Sequence, residues 1–466
     1  MKKSIFIVSA IAMLVSLSSC QGVLTGGGKK NNQDPAQGEI PSASGPIADP
    51  MSASMKITAI PEAVDIFVDA SGSMKGYIDG VQGTLKNVVP NLIPNLMNND
   101  RMGLSTDNIN CYTIYNSKLK KQDTDKFGQS ITDASIFNGN STEVHEMFKV
   151  VANSIVENPK HVGIIVSDCI LSFPGSQLSA DREMNYNNID VLSTEVTKAM
   201  TILYNNGMNV SVVKYTSDFN GNYYYDYHNQ KLSTARNQTM NNRPFYLVLV
   251  GKRELVDAMF NKDVIPQSYK EVFSFNKEGA KPRGEFLRAA KASGWIPALV
   301  DNVPTIKTDF KANKNIDAAY AYMIIDKFAV PSYLQSRQEE IMGAPKCDGK
   351  YIASVSRVKQ TDVEKDLIEV KGGKPNLTGK YIYKITFKDN EVLKNLTIFK
   401  DRIYFEAPEV SALSSEIEKD DAASLNVLSD LEGKTFMFNH LIDGLRNAYS
   451  GGGAPLAEIE ITIKTK

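Results

Sequence analysis

The stretch Val64-Asp65-Ile66-Phe67-Val68-Asp69-Ala70-Ser71-Gly72-Ser73-Met74 decides how this chain is read. Its first half has the unbroken hydrophobicity of a strand covered on both faces of a sheet. Such a strand releases Asp69 at its carboxyl end. A tight turn at Gly72 then curls Ser71 and Ser73 back beside that carboxylate. Three oxygen donors converge just outside the sheet edge, where open α/β sheets bind their ligands.

Two further stretches supply matching groups. Gly139-Asn140-Ser141-Thr142 precedes Val144, Phe148, Val151 and Ile155, a helical spacing that puts Thr142 at a helix start, where threonine is a good N-cap. Ser141 is the alternative hydroxyl at this point. His161-Val162-Gly163-Ile164-Ile165-Val166-Ser167-Asp168 reads as a second buried parallel strand, again ending in an acid. Taken in order, Asp69-x-Ser71-x-Ser73, Thr142 and Asp168 resemble the metal-ion-dependent adhesion site (MIDAS) of a von Willebrand factor A (vWA) domain. The competing reading is a sheet whose Asp and Ser residues only cap helices. A phosphatase of the haloacid dehalogenase type would want a second acid two residues after Asp69, and Ser71 stands there instead.

The donor set has its own chemistry. Two carboxylates and neutral hydroxyls form a hard-oxygen group suited to Mg2+ or Mn2+, ions that favour octahedral coordination and keep some waters. The resemblance implies that the hydroxyls bind the ion directly while the acids act through water. It also implies that the electron-poor ion takes its last ligand from an acidic side chain of a partner protein. That is a binding role. A metal-dependent hydrolase using bound water would need a general base beside the ligands, and none is evident in the sequence. A scaffold with a purely structural metal is the third reading. The histidines His145, His161, His228 and His440 have no ligand spacing, and no Ser-His-Asp set, phosphate-binding glycine loop or His-Glu-x-x-His motif is present.

The beginning of the chain points to export. Lys2 and Lys3 precede an apolar stretch from Ile5 to Leu17, as in a secretory leader and too short for a comfortable membrane span. Leu17-Ser18-Ser19-Cys20 resembles a bacterial lipobox, which implies a lipidated Cys20 and anchoring in the cell envelope. Gln21 after Cys20 resembles outer-membrane lipoproteins, with the periplasmic face favoured over the cell surface. The other cysteines, Cys111, Cys169 and Cys347, are an odd and widely spaced set, not a disulfide framework. Cys169 adjoins Asp168 and is expected to be partly exposed. With 52 Lys and Arg against 53 Asp and Glu, there is no basic excess to imply nucleic-acid binding.

Organisation follows from composition and periodicity. Residues 1–20 are the leader, and 21–54, rich in Gly, Pro, Asn, Gln and Ala, form a flexible tether. Residues 58–262 form the vWA-like α/β domain, expected as a doubly wound, mostly parallel sheet. Residues 263–300 connect it to a β-rich, β-sandwich-like region at 301–466. There Ile459, Ile461 and Ile463 alternate with polar residues as on a half-buried strand. Within the first region, Tyr77 to Leu92 has helical spacing that Pro90 and Pro94 are expected to break into two pieces. Two long connections, 169–188 and 216–242, follow strand ends and should lie on the face that carries Asp69. The second contains Tyr223, Tyr224, Tyr225 and Tyr227. These form either a partner surface or an ordinary hairpin packed on the domain.

Overall fold

The structure is a computed structural model. It describes residues 59–80, 83–115, 117–139, 143–170, 182–223, 235–287, 298–300, 303–306, 320–326, 330–365, 377–388, 398–407, 417–418, 433–436, 438–449 and 453–465. The leader, Cys20 and the tether lie outside these residues.

The first layer system is a seven-stranded sheet. Its strands are β1 (Ala63–Asp69), β2 (Ile109–Tyr115), β3 (Lys118–Gln122), β4 (His161–Ser167), β5 (Asn209–Tyr223), β6 (Ala235–Gly251) and β7 (Glu271–Phe275), in the order β3-β2-β1-β4-β6-β5-β7. Strand β1 pairs in parallel with both β2 and β4. Beyond β4 the expectation of parallel pairing fails. Strand β6 lies antiparallel between β4 and β5, and β7 is antiparallel to β5. The sheet is therefore mixed: β1, β2, β4 and β5 point one way, and β3, β6 and β7 the other.

Both faces of this sheet are buried, which is why its central strands read as unbroken apolar runs. Helices α1 (Gly76–Asp79), α2 (Thr84–Met97), α3 (Thr124–Thr132) and α6 (Arg253–Asn261) cover one face, where Val64, Ile66 and Val68 meet Tyr77, Val88, Leu92 and Phe127. Helices α4 (Val144–Glu157) and α5 (Arg182–Asn205) cover the other, where Phe67 and Ile165 meet Phe148, Val151 and Val196. The break expected at the two prolines is absent. Helix α2 runs through Pro90 and Pro94, and the chain breaks earlier, between α1 and α2 at Gly80 to Gly83. Each proline removes only one intrahelical donor, and buried Leu85, Val88, Val89, Leu92 and Leu96 hold the helix on the sheet.

The remaining strands form separate, mainly antiparallel sheets. They are β8 (Gly284–Phe286), β9 (Ala298–Val300), β10 (Val303–Ile306), β11 (Tyr320–Asp326), β12 (Lys346–Cys347), β13 (Ile352–Val358), β14 (Lys380–Phe387), β15 (Ile398–Phe405), the short pair β16 (Ile417–Glu418) and β17 (Thr435–Phe436), and β18 (Ala457–Thr465). One sheet has the order β13-β14-β11-β8 and another β12-β15-β18-β10-β9. Met323, Tyr383 and Ile385 of the first share a core with Phe399, Ile403, Ile459, Ile461 and Ile463 of the second. The alternation read at Ile459, Ile461 and Ile463 thus becomes a buried face. Between β17 and β18 the helix Phe438–Ala448 leaves this region and returns to the first sheet. Its Leu441, Ile442 and Leu445 join the core beneath α5, and a Cβ on Gly444 would stand 2.6 Å from a methyl of Val196. Glycine is what allows these two helices to approach so closely.

Candidate metal centre

The loop after β1 is held by the residue that the strand delivers. Asp69 is buried at the carboxyl end of β1, and its Oδ1 accepts a hydrogen bond from the Ser71 amide at 2.9 Å. This short-range bond bends the chain so that the Ser71 and Ser73 hydroxyls lie 3.1 Å apart. The other carboxylate oxygen, Oδ2, accepts from the Ser167 hydroxyl at 2.9 Å, and Ser167 Oγ in turn accepts from the Cys169 amide at 3.0 Å. Asp69 therefore ties the end of β1 to the end of β4, next to Asp168. Register explains the contact. Phe67 lies opposite Ile165, so Asp69 and Ser167 fall side by side on the same face of neighbouring parallel strands.

Asp168 is buried and meets a cation that was not anticipated. Its Oδ2 lies 3.5 Å from Arg243 Nη2, and both side chains are almost fully buried. That oxygen accepts no hydrogen bond among the described residues. Arg243 comes from β6. Because β6 is antiparallel to β4, with Ser167 opposite Tyr246, residues before Tyr246 pass beyond the carboxyl end of β4. The guanidinium is held from two further sides. Its Nε donates to the Tyr77 hydroxyl at 2.9 Å, and its plane lies over the Phe219 ring, 4.2 Å from the centroid. Tyr77 passes its own proton to the Pro244 carbonyl at 2.6 Å. Burial pushes the Tyr77 phenol well above its ordinary pKa, against the pull of Arg243, so it remains a neutral donor.

The second loop meets the first at Gly139. Ser71 and Gly139 form an isolated parallel bridge, and the Gly139 amide donates to the Ala70 carbonyl at 2.9 Å. A Cβ at Gly139 would stand 2.4 Å from the Tyr115 ring, so the close approach needs glycine. Ser141 and Thr142 lie outside the described residues. Helix α4 begins at Val144 with Glu143 in the capping position, so Thr142 precedes the cap by one residue.

One expectation at this edge needs correction. Cys169 is fully buried and adopts a positive φ of 54°. It is therefore not exposed, and burial raises its thiol well above the ordinary range, with Asp168 and Asp69 adding to the shift. Part of each long connection is regular structure. Helix α5 begins at Arg182, within the first, and β5 and β6 extend the second into a hairpin as far as Tyr223 and Ala235. The base of that hairpin packs on α1: Phe219 meets Tyr77 edge-on, and a Cβ on Gly76 would stand 2.2 Å from the Phe219 ring. The Tyr223 backbone lies in the last pairing of β5, while Tyr224, Tyr225 and Tyr227 fall outside the described residues.

The first-loop donors fit a small hard cation. Octahedral Mg2+–oxygen bonds of 2.0–2.1 Å put adjacent ligands about 3.0 Å apart. The two serine hydroxyls match that spacing, and a buried Asp168 oxygen without a hydrogen bond stands on the adjoining strand end. No group of three or more His, Cys, Asp or Glu that could hold a metal occurs among the described residues. Comparison with protein-family models, curated proteins and solved structures returned no match.

Proposed function

We propose that the protein is a metal-dependent binding protein of the bacterial cell envelope, with a vWA-like first region and a β-sandwich-like second region. Ser71, Ser73 and Thr142 would hold Mg2+ or Mn2+, with Asp69 and Asp168 behind them. When bound, the ion supplies a Lewis-acidic position open to one external oxygen ligand. The chain's own residues do the rest. Asp69 shapes the loop through the Ser71 amide, Ser167 fixes Asp69, and the buried surroundings limit competing water. An acidic side chain of a partner protein is the ligand this arrangement favours, because a hard, charge-deficient cation prefers an anionic oxygen. The observation that carries the reading is the Ser71–Ser73 hydroxyl pair at 3.1 Å beside a buried carboxylate fixed from two sides.

We read the site as binding rather than catalytic, because the donor set resembles that of an adhesion site. Cys20 would carry the lipid that anchors the protein, with the outer membrane and its periplasmic face as the proposed location. The segment between β5 and β6, which contains Tyr224, Tyr225 and Tyr227, would extend the partner surface. The test is a thermal scan with and without Mg2+ or Mn2+. A ligand that binds only the folded state at a hundred times its Kd raises stability by about 2.7 kcal/mol. Asp69→Ala and Thr142→Ala should remove that gain while the protein still folds. The same metal response in both variants as in the wild type would refute the assignment.

A further inference from the structure

The charges buried at the carboxyl edge of the sheet do not balance once a divalent cation is added. Asp69 and Asp168 are two carboxylates and Arg243 is one guanidinium, all almost fully buried. The other buried cation nearby, Lys214 on β5, is engaged with the Gly433 carbonyl at 3.0 Å on the far side of β6. Among the described residues, the almost fully buried side chains of Asp69, Asp168 and Arg243 thus carry one net negative charge, one net positive charge after a divalent cation enters, and none after a single carboxylate joins it. Arg243 cannot readily withdraw from this balance. Tyr77 accepts from its Nε, Phe219 covers its face, and the Asp168 carboxylate lies 3.5 Å from its Nη2. A guanidinium also keeps its charge at any accessible pH.

We propose that Arg243 sets the charge of the metal site, so that the cation alone is held weakly and the cation together with a carboxylate is held strongly. This rests on the metal-binding reading above and adds a regulatory element to it. Like charges a few ångströms apart in a water-poor environment repel strongly, and Arg243 competes directly with the cation for Asp168. A carboxylate arriving from outside restores neutrality. Each ligand then raises the affinity of the other by the same factor, as linkage requires. The arrangement would make the site respond to an acidic partner rather than to the ambient metal concentration alone.

The test uses the chain without its leader and Mn2+ as the probe, titrated calorimetrically at mildly alkaline pH, with and without excess acetate as the carboxylate. Wild type should bind Mn2+ more tightly when acetate is present. Arg243→Met and Arg243→Gln should bind Mn2+ alone about tenfold or more tightly than wild type and lose the acetate effect. Arg243→Lys keeps the positive charge and should behave like wild type, which also serves if the neutral variants fail to fold. Neutral variants that bind Mn2+ no more tightly than wild type and keep the acetate effect would overturn the proposal while leaving the metal site in place. A lysine variant as tight for Mn2+ alone as the neutral variants are expected to be would overturn it as well, by showing that packing and not charge is responsible. A wild-type chain that binds no Mn2+ in either condition would remove both the proposal and the reading beneath it.

Discussion

Ser167→Ala is the sharpest perturbation of the site's architecture, because it removes one oxygen that serves two partners and leaves every proposed metal-site residue unsubstituted. Ser167 has no solvent exposure. Its hydroxyl donates to Asp69 Oδ2 at 2.9 Å and accepts from the Cys169 amide at 3.0 Å. Alanine fits the space but deprives a buried carboxylate of a donor and a buried amide of its acceptor. Each such loss costs about 1–3 kcal/mol, so the variant should be less stable by about 2–6 kcal/mol. At about 2–4 °C per kcal/mol for a unit of 150–250 residues, Tm should fall by roughly 5 °C or more. The assay is a reversible chemical denaturation at fixed pH without added metal, supported by a thermal scan. A second consequence separates local architecture from general packing. Asp69 would no longer be fixed against the end of β4, so the Mn2+-induced rise in Tm should shrink although every proposed ligand remains. A variant with wild-type stability and a wild-type metal response would show that the Asp69–Ser167–Cys169 chain does not organise this edge.

Other outcomes follow from the same structure. Gly139→Ala places a methyl 2.4 Å from the Tyr115 ring and 2.9 Å from the Ala70 carbonyl, so it should cost about 1–3 kcal/mol by overpacking and weaken the metal response by displacing the second loop from Ser71. Wild-type chemical denaturation of that variant would contradict the close approach. Cys20→Ser should abolish incorporation of labelled fatty acid and release the protein from the detergent phase. An unlabelled wild type would remove the envelope-anchor proposal. Tyr225→Ala should weaken metal-dependent capture of an acidic partner by about tenfold or more while leaving the metal-induced Tm rise intact. Unchanged capture would leave the partner surface to other residues.

Much of the fold was legible because two periodicities are strong. The apolar runs ending at Asp69 and Ser167 became the paired central strands β1 and β4, and the alternation at Ile459, Ile461 and Ile463 became one buried face of β18. The first three oxygen donors were legible as well, since their approach depends on residues no more than four positions apart. What the sequence could not show was strand direction. A strand buried on both faces has the same hydrophobic pattern whichever way it runs, so the apolar run Phe245–Val250 within β6 carries no sign of its antiparallel direction. The helix Phe438–Ala448 has an amphipathic spacing, but nothing in that spacing says that its apolar face is claimed by α5.

Direction is also what hid Arg243. Had β6 run parallel to β4, the residue two places before Phe245 would lie at the amino edge of the sheet, a full strand length from Asp168. Run antiparallel, the same residue lies past the carboxyl edge and its guanidinium comes within 3.5 Å of Asp168. Ser167 was hidden for a lesser reason: a small polar residue inside an apolar strand is unremarkable until the register puts it opposite Asp69. The antiparallel strand therefore does more than fill the sheet. It carries the hairpin out from the edge that holds Asp69, packs Phe219 against α1, and brings in a fixed positive charge where a parallel strand would have supplied none. Any ligand chemistry at this edge has to reckon with that charge. For this reason Arg243 substitutions discriminate better than ligand substitutions: removing Asp69 can only abolish binding, whereas removing the guanidinium should strengthen it.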